Sequence, residues 1–317
     1  MPINTDRALG AVLGSAAGDA LGASYEFQPA VLPPTPIVWR AGNPWQRGEW
    51  TDDTAMAVPL LDELAAGADI RTDEALGRVV RRWLGWARGA KDVGIQTRRV
   101  FAVLERELEQ HTGAHDDAHV ARLCKTAAAQ VHDVTGRSGG NGSLMRTGPV
   151  ALGYLHDAGA VAAAARAQSD LTHFDEDTGD ACVLWSLAIR HAVLTGEIDL
   201  VGQLGALAPD RAEIWRARIA EAEGREPHEI KNNGWVVAAL QAAWSAIVRG
   251  TSLVDVLERA VRAGDDTDTV AAIAGSLAGA KYGASGLPKL WFDELHGWPG
   301  EHAVDLETKV LLVVGRE

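Results

Sequence analysis

The sequence has little cysteine and no long apolar run, and each shortage excludes a class of protein. Cys124 and Cys182 are the only two cysteines among 317 residues, so neither a disulfide framework nor a cysteine-based zinc site is available. No stretch of about 18 apolar residues is free of charge, which argues against a membrane span. Asp6 stands where a signal peptide would have its basic region. We therefore expect a protein of the reducing cytoplasm.

Basic residues are also scarce. The chain has 30 lysines and arginines against 43 aspartates and glutamates, which gives a formal net charge of −13. Non-specific nucleic-acid binding needs a basic surface to neutralise phosphates, and docking on an anionic membrane needs the same. Neither partner is expected. An apolar fraction of 47% with 23% charged residues is typical of a globular protein and excludes a disordered chain.

Alternating strand patterns are nearly absent, whereas apolar residues recur at helical spacing. One such set is Val79, Val80, Trp83 and Leu84, and similar sets follow within residues 236–248 and 253–261. Residues 37–39 and 310–314 are the candidate short strands. The pattern predicts an all-α fold, a compact single-domain bundle of roughly a dozen helices over residues 1–317.

Two local features bear on packing. Gly14, Gly18 and Gly22 repeat at every fourth residue, which predicts close contact between helices of a globular fold, because Asp19 lies among them. Residues 28–48 carry several prolines and glycines, and this composition predicts a long ordered loop rather than a domain boundary.

The first acidic cluster consists of Thr51, Asp52, Asp53 and Thr54. One of these residues could cap the helix that follows. Adjacent carboxylates repel each other unless a cation lies between them, so a divalent metal site is the alternative. The segment alone leaves both interpretations open. Pro59 is expected to kink the helix or to mark a late start.

The second acidic cluster offers five side-chain oxygen donors, where a helix cap needs only one: Asp265, Asp266, Thr267, Asp268 and Thr269. Such hard donors suit Mg²⁺, Mn²⁺ or Ca²⁺ rather than zinc, so we favour a metal site here. An EF-hand is excluded, because Val270 and Ala271 stand where a further ligand and a glycine are required.

A rival interpretation treats Asp266 as the nucleophile of an aspartate-dependent phosphatase, since Asp266, Asp268 and Val270 fit its D-x-D-x-V string. That motif should end a buried strand of a parallel sheet. The preceding residues 253–261 have helical periodicity, which disfavours this interpretation.

Three weaker signals complete the set. Asp19 and Glu26 follow an apolar helical start, and a helix end with a solvated glutamate would explain them equally well. The glycine-rich residues 139–142 could cradle a phosphate, with Arg146 as a bidentate clamp, or could form a plain turn. Asp92 lies in a loop between helical stretches, and His173 could be a structural hydrogen-bonding residue or part of a site.

Together these segments resemble the ADP-ribosylglycohydrolase family. The matching motifs occur in the family's order and span residues 14 to 280: residues 18–22 with Glu26, residues 50–54, residues 141–146, Thr172 with His173, and residues 266–269. The resemblance implies a compact all-α fold around a central cleft that holds two divalent cations, Mg²⁺ or Mn²⁺.

Carried over residue by residue, the resemblance implies six metal ligands: Thr51, Asp52, Asp53, Asp266, Asp268 and Thr269. It implies Glu26 as a supporting or gating acid at the cleft and Asp92 as an additional loop carboxylate, and we expect Glu26 or Asp92 to serve as the carboxylate of acid–base catalysis. It implies a substrate-binding set of Asn141, Gly142, Ser143, Met145, Arg146 and His173. Three departures from the family pattern are Asp265 beside the usual acidic pair, Pro59 in the first metal helix, and Ile95, where some arginine-specific members carry a polar residue.

The resemblance implies hydrolysis of the glycosidic bond between ADP-ribose and an acceptor, with an ADP-ribosylated protein side chain such as arginine, or a small ADP-ribosyl conjugate, as substrate. Three alternatives remain at this stage. The chain could bind ADP-ribose as a reader without turnover. It could act on a serine-, nucleic-acid- or O-acyl-linked conjugate. It could hold a purely structural metal.

Overall fold

A computed structural model describes residues 3–110 and 115–317, and helices make up nearly all of its regular structure. The α-helices of these ranges are α1 (Thr5–Gly22), α2 (Asp52–Ala65), α3 (Asp73–Ala87), α4 (Ile95–Gln110), α5 (Asp117–Thr135), α6 (Ala158–Ser169), α7 (Glu176–Thr195), α8 (Pro209–Glu223), α9 (Val236–Arg249), α10 (Leu253–Val261), α11 (Thr267–Tyr282), α12 (Lys289–Glu294) and α13 (Ala303–Val314). Strands β1 (His296–Gly297) and β2 (Glu301–His302) form one short antiparallel pair. The all-α prediction is confirmed.

Both candidate strands are wrong. Residues 37–39 lie in the irregular segment between α1 and α2, where Trp39 stacks on Trp291 with 4.8 Å between ring centroids. Residues 310–314 belong to α13, whose buried Leu306, Val310 and Val313 recur at helical spacing. A short apolar run does not distinguish a strand from a buried helix, and the amphipathic period upstream decides for the helix here.

Helices α1 and α11 pack along a seam of glycines, as the four-residue glycine spacing predicts. A Cβ placed on Gly14 would lie 2.5 Å from the carbonyl oxygen of Gly275, and one on Gly18 would lie 2.2 Å from that of Ala271. Gly22 continues the seam, because a Cβ there would lie 2.4 Å from the Cα of Asp268. The absence of side chains therefore lets the two backbones touch.

Helix α2 begins at Asp52 and runs through Pro59, so the alternative of a late start is wrong. Thr51 occupies the position before the first helical residue, yet its side chain makes no capping hydrogen bond. The cap comes from another helix, as described below.

The helices share one hydrophobic core that extends from Ala8 in α1 to Val313 in α13. Helix α11 is its centre, because residues 267–280 are all buried and α11 packs against α1, α7, α9 and α10. None of the helices in the described ranges combines the length and apolar character that crossing a bilayer requires. This central position places the N-terminus of α11, with its aspartates, inside the molecule.

Candidate active site

Three helix ends meet beside the glycine seam. Helix α1 ends at Gly22 and is followed by Glu26, α2 begins at Asp52, and α11 begins at Thr267. The hydroxyl of Thr267 donates to the carbonyl oxygen of Gly22 over 2.9 Å and ties α11 to the end of α1. Carboxylates that are distant in the sequence therefore come together.

Asp19 is the residue that caps α2. Its Oδ1 accepts from the backbone N–H of Thr51 over 2.8 Å, and its Oδ2 accepts from the N–H and the hydroxyl of Thr54 over 2.9 and 2.6 Å. A carboxylate at this place also interacts favourably with the helix dipole. Because Asp19 supplies the cap, the side chains of Asp52 and Asp53 are not needed for it, which removes the capping interpretation of the first cluster.

Asp53 carries a buried oxygen with no hydrogen-bonding partner. Its Oδ1 accepts from the Thr269 hydroxyl over 3.1 Å, whereas its Oδ2 has no partner among the described residues, although the residue is only 1% exposed. Neighbouring Asp268 accepts from the backbone N–H of Thr269 over 3.0 Å and from the Thr51 hydroxyl over 3.4 Å. An unpaired buried carboxylate oxygen is costly unless a cation binds it.

Carboxylate oxygens lie within 4.8 Å of one another in two overlapping groups, formed by Asp19, Asp53 and Asp268 and by Glu26, Asp266 and Asp268. None of the ion pairs found in the described ranges joins these carboxylates to a lysine or arginine. The protein therefore supplies the negative charge here without supplying a basic side chain to balance it.

Burial and mutual repulsion raise the pKa of these acids. Burial, followed by the charges of Asp266 and Asp52, raises the pKa of Glu26 to about 8. Burial, followed by the charge of Asp92, raises the pKa of Asp52 to about 8. Burial also holds the pKa of Asp53 well above its ordinary value. A divalent cation would oppose all of these shifts.

The backbone conformation shows which aspartates of the second acidic cluster face the site. Asp265 is exposed, has a positive φ of 57°, and pairs with Gln28 in an isolated antiparallel bridge, so it stands outside both carboxylate groups. Asp266 and Asp268 are the members that face the site. The phosphatase interpretation is wrong, because this motif begins helix α11 and does not end a strand.

A cavity of about 700 Å³ opens above the carboxylates. Its lining contains most of the predicted site residues: Glu26, Asp52, Asp92, Asp266, Asp268, Thr269, Asn141, Gly142, Met145 and His173. Thr51 and Asp53 are buried and reach these residues through Asp268 and Thr269. The structure does not bring Ser143 or Arg146 to the cavity.

The glycine-rich segment forms one wall of the cavity. Gly140 makes an isolated bridge with Trp235, and the side-chain amide of Asn141 donates to Asp266 over 2.8 Å. A Cβ on Gly142 would lie 3.1 Å from the ring of His173, so the glycine allows the wall to approach that ring closely. Turns follow the segment, and a short 3-10 helix begins only at Val150.

Asn233 is a supporting residue that the sequence analysis missed. Its Oδ1 accepts from the backbone N–H of Asp266 over 3.2 Å, and its backbone carbonyl accepts from the Asn141 amide over 3.0 Å. Asn232 before it has a positive φ of 61°. The Asn-Asn-Gly string at 232–234 is a turn signal, but its contact with the acidic cluster arises only in the folded chain.

The predicted phosphate clamp by Arg146 is wrong. Arg146 is 0% exposed, and its guanidinium donates to the side-chain and backbone oxygens of Gln168 over 2.8 and 2.7 Å. It also lies over the ring of Trp83, 4.2 Å from the centroid. Ser143 likewise points into the interior, where its hydroxyl accepts from Ser169 over 2.9 Å. Both side chains are used for internal packing beneath the cavity wall.

His173 is buried and lines the cavity at the same time. Its Nδ1 lies 2.8 Å from the Thr172 hydroxyl. Burial, and to a lesser extent the positive charge of Arg146, lowers the pKa of His173 well below its ordinary value, so the ring is neutral. A neutral imidazole offers one N–H donor and one acceptor.

Asp92 and Ile95 lie at the rim of the cavity. The carboxylate of Asp92 accepts from the backbone N–H of Val93 over 2.7 Å and lies 3.6 Å from the guanidinium of Arg98. Ile95 is the first residue of α4 and is largely exposed.

A family profile described as ADP-ribosylglycohydrolase matches residues 1–315. The chain belongs to the ADP-ribosylglycohydrolase family. Membership assigns it to the hydrolases. An ADP-ribosylarginine hydrolase of Pseudomonas putida (strain GB-1) is 31% identical over 303 residues, covering 92% of this chain and 74% of its own length. The ADP-ribosyl-[dinitrogen reductase] glycohydrolase of Rhodospirillum rubrum is 29% identical, covering 92% of this chain and 90% of its own length.

A solved structure supports the same family. A chain of an ADP-ribosylglycohydrolase-related protein complex aligns with a TM-score of 0.70 and 27% identity, over 98% of each chain. The chain therefore shares the architecture of this related protein over nearly its whole length.

Proposed function

We propose that this chain hydrolyses the bond between the anomeric carbon of ADP-ribose and an acceptor, and that the acceptor is an arginine side chain of a modified protein. The observation that carries the proposal is a set of buried and half-buried carboxylates, without basic partners among the described residues, at the floor of a 700 Å³ cavity. The relative from Pseudomonas putida, named for its action on ADP-ribosylarginine, supports arginine as the acceptor.

Two divalent cations, Mg²⁺ or Mn²⁺, fit the donor set. The donors are carboxylate and hydroxyl oxygens, and the unpartnered Oδ2 of Asp53 is the position that most requires a cation. We propose that the ions are held by Thr51, Asp52, Asp53, Asp266, Asp268 and Thr269. When bound, they would neutralise the acids and supply Lewis-acid chemistry to the ribose hydroxyls.

Glu26 and Asp92 are the proposed acid–base residues. Both line the cavity. Among the described residues, their only ion pair is the 3.6 Å contact between Asp92 and Arg98. One carboxyl would take a proton from the attacking water, and one would protonate the leaving group as the bond to the anomeric carbon breaks. The transition state would have oxocarbenium character, as in other glycosidic cleavage.

The substrate would lie along the wall formed by Asn141, Gly142, Met145 and His173. Without Arg146, contacts to the diphosphate would come from backbone N–H groups of this wall. The shared core supports treating residues 1–317 as one functional unit. Both cysteines are free and buried, which agrees with the cytoplasmic location expected from the sequence.

The test is release of ADP-ribose from arginine-, serine- and nucleic-acid-linked substrates in Mg²⁺, Mn²⁺ or EDTA. We expect release from the arginine linkage with metal and none in EDTA. Asp53→Asn should abolish release, whereas Asp293→Asn, at an exposed carboxylate paired with Lys289 on α12, should not change it. Binding of ADP-ribose without release from any substrate would instead identify a reader.

A further inference from the structure

Arg146 is a fully buried cation for which the described structure provides no acidic partner. Its polar contacts are the two oxygens of Gln168 and the hydroxyl of Thr172, and its Nη1 has no hydrogen-bonding partner within residues 3–110 and 115–317. Burying an unpaired charge is costly, and a hydrophobic side chain of similar volume would fill this space without that cost. Packing against Trp83 alone therefore does not account for a guanidinium at this position.

The contacts of Thr172 show what the guanidinium does. Arg146 can only donate, so the Thr172 oxygen accepts from Nη2 over 2.9 Å. The hydroxyl retains one proton of its own. Among the described residues, its other hydrogen-bonding contact is Nδ1 of His173, 2.8 Å away. If Nδ1 carried a proton, the Thr172 oxygen would accept twice and the buried Thr172 proton would have no acceptor among the described residues. The hydroxyl is satisfied only when its proton points at an unprotonated, accepting Nδ1.

If Nδ1 accepts, the single proton of the neutral imidazole is on Nε2. This nitrogen lies on the side of the glycine-rich wall, 3.3 and 3.4 Å from the positions that a Cβ would take on Gly142 and Gly140. Both glycines and His173 line the cavity. The tautomer thus determines whether this wall offers a ligand a donor or a lone pair.

We propose that Arg146 and Thr172 are positioning residues that hold His173 in the Nε2–H tautomer, so that the ring donates a hydrogen bond to an oxygen of the ADP-ribosyl group. The identity of that ligand rests on the proposed function, but the tautomer does not. Every hydroxyl oxygen and phosphate oxygen of ADP-ribose can accept a hydrogen bond, so a fixed donor on the protein suits this ligand. An unprotonated Nε2 would repel a phosphate oxygen.

The tautomer can be read directly by ¹⁵N NMR of histidine-labelled protein, with the His173→Gln variant used to identify the His173 signals. We expect a protonated Nε2 and an unprotonated Nδ1 in the wild type and in Thr172→Ser, which keeps the hydroxyl. Thr172→Val should lose this preference, and so should Arg146→Met. Ser245→Ala removes a buried hydroxyl of α9 that donates to the backbone carbonyl oxygen of Arg225, outside this network, and should leave the His173 signals unchanged.

Binding of ADP-ribose, followed by calorimetry, gives the second readout. Thr172→Val should weaken the affinity about tenfold, the effect of one lost hydrogen bond, while Thr172→Ser and Ser245→Ala stay close to the wild type. In steady-state turnover, Thr172→Val should raise KM and leave kcat unchanged if the His173 hydrogen bond is equally strong in the ground state and the transition state.

A wild-type His173 protonated on Nδ1 would overturn the proposal, and this result needs no variant to fold. An unchanged tautomer in a folded Thr172→Val protein would overturn it as well. Absence of ADP-ribose release from every conjugate would count against the proposed function only, because the NMR signals report the tautomer whether or not the protein turns over substrate.

Discussion

Gly18 of helix α1 lies so close to Ala271 of helix α11 that a Cβ on Gly18 would stand 2.2 Å from the Ala271 carbonyl oxygen. This contact holds the end of α1 against the start of α11, and both ends carry site carboxylates. The close packing of the glycine seam therefore determines how near the carboxylates of α1 and α11 lie to each other.

We expect Gly18→Ala to lower the free energy of unfolding by about 1–3 kcal/mol, because two backbones must separate to admit the methyl group. The matched control is Gly85→Ala in α3, where a Cβ would meet nothing within 4 Å. That change should raise stability by about 0.5–1 kcal/mol through helix propensity. Chemical denaturation of the two variants gives both values, and equal effects would show that the seam is not tightly packed.

The metal-free protein should lose stability as the pH rises. The pKa values of Glu26 and Asp52 are raised to about 8 in the folded state, chiefly by burial. An acid whose folded pKa is raised contributes stability below its unfolded pKa of about 4 and loses it as the pH passes through the folded value. In EDTA, we expect the Tm at pH 8 to lie ~5 °C below that at pH 5.5.

Saturating Mg²⁺ or Mn²⁺ should remove most of this dependence, because the cations neutralise the same carboxylates. Thermal melts across pH 5.5–8 with and without metal measure both effects. A metal-free protein that is more stable at pH 8 would contradict the picture of mutually repelling buried acids.

Asp53→Asn separates the structural and metal roles of this residue. Without metal, the neutral amide should raise the Tm by ~2–4 °C, which corresponds to about 1 kcal/mol in a domain of this size. With metal, the variant should gain much less stability than the wild type, since a ligand is lost. Thermal melts with a Mn²⁺ titration test both parts, and a variant stabilised by metal as strongly as the wild type would remove Asp53 from the ligand set.

Asp19→Ala should act differently, although Asp19 lies beside Asp53. Its oxygens already accept three hydrogen bonds from Thr51 and Thr54, so we expect a loss of about 1–2 kcal/mol from the missing cap in metal-free protein. If the two substitutions change the free energy of unfolding in opposite directions in EDTA, Asp19 stabilises the metal-free fold and Asp53 destabilises it. A stabilised Asp19→Ala protein would contradict the capping role.

Glu26→Gln and Asp92→Asn test the acid–base assignment. Loss of a general acid or base should lower kcat by ~10²–10⁴ without a matching loss of ADP-ribose affinity. Glu307→Gln on α13 is the control, because this residue lies on a helix outside the cavity lining. Steady-state release of ADP-ribose at saturating metal measures the effect. Wild-type kcat in either variant would remove that residue from the assignment.

The helical fold and the glycine seam could be predicted because both depend on local spacing. Helical periodicity sets which faces are buried, and glycines at every fourth residue indicate a helix that another backbone approaches closely. The candidate strand at residues 310–314 failed for a related reason. These residues are apolar enough for either structure, and the helical spacing of the buried Leu306, Val310 and Val313 places them in α13.

The acidic residues of the site could also be anticipated, because two clusters exceed what helix capping requires. The roles of Asp19 and Arg146 could not. Asp19 caps α2 through a hydrogen bond to Thr51, which lies 32 positions later in the chain, and Arg146 faces Gln168 and Thr172 rather than the cavity. Such partners depend on how helices pack, and a polar residue in a motif does not reveal on which side of a wall it lies. The metal and catalytic assignments stay predictions.

The hydrogen bond from Thr267 to Gly22 joins residues 245 positions apart. The ribosome therefore makes helix α1 early, and most of the chain is synthesised before its partner α11 appears. Its glycine face has no surface to pack against in that interval, and the acidic site has only two of its three helix ends. Contacts of such long range slow folding, so we expect the site to be among the last parts of the molecule to form.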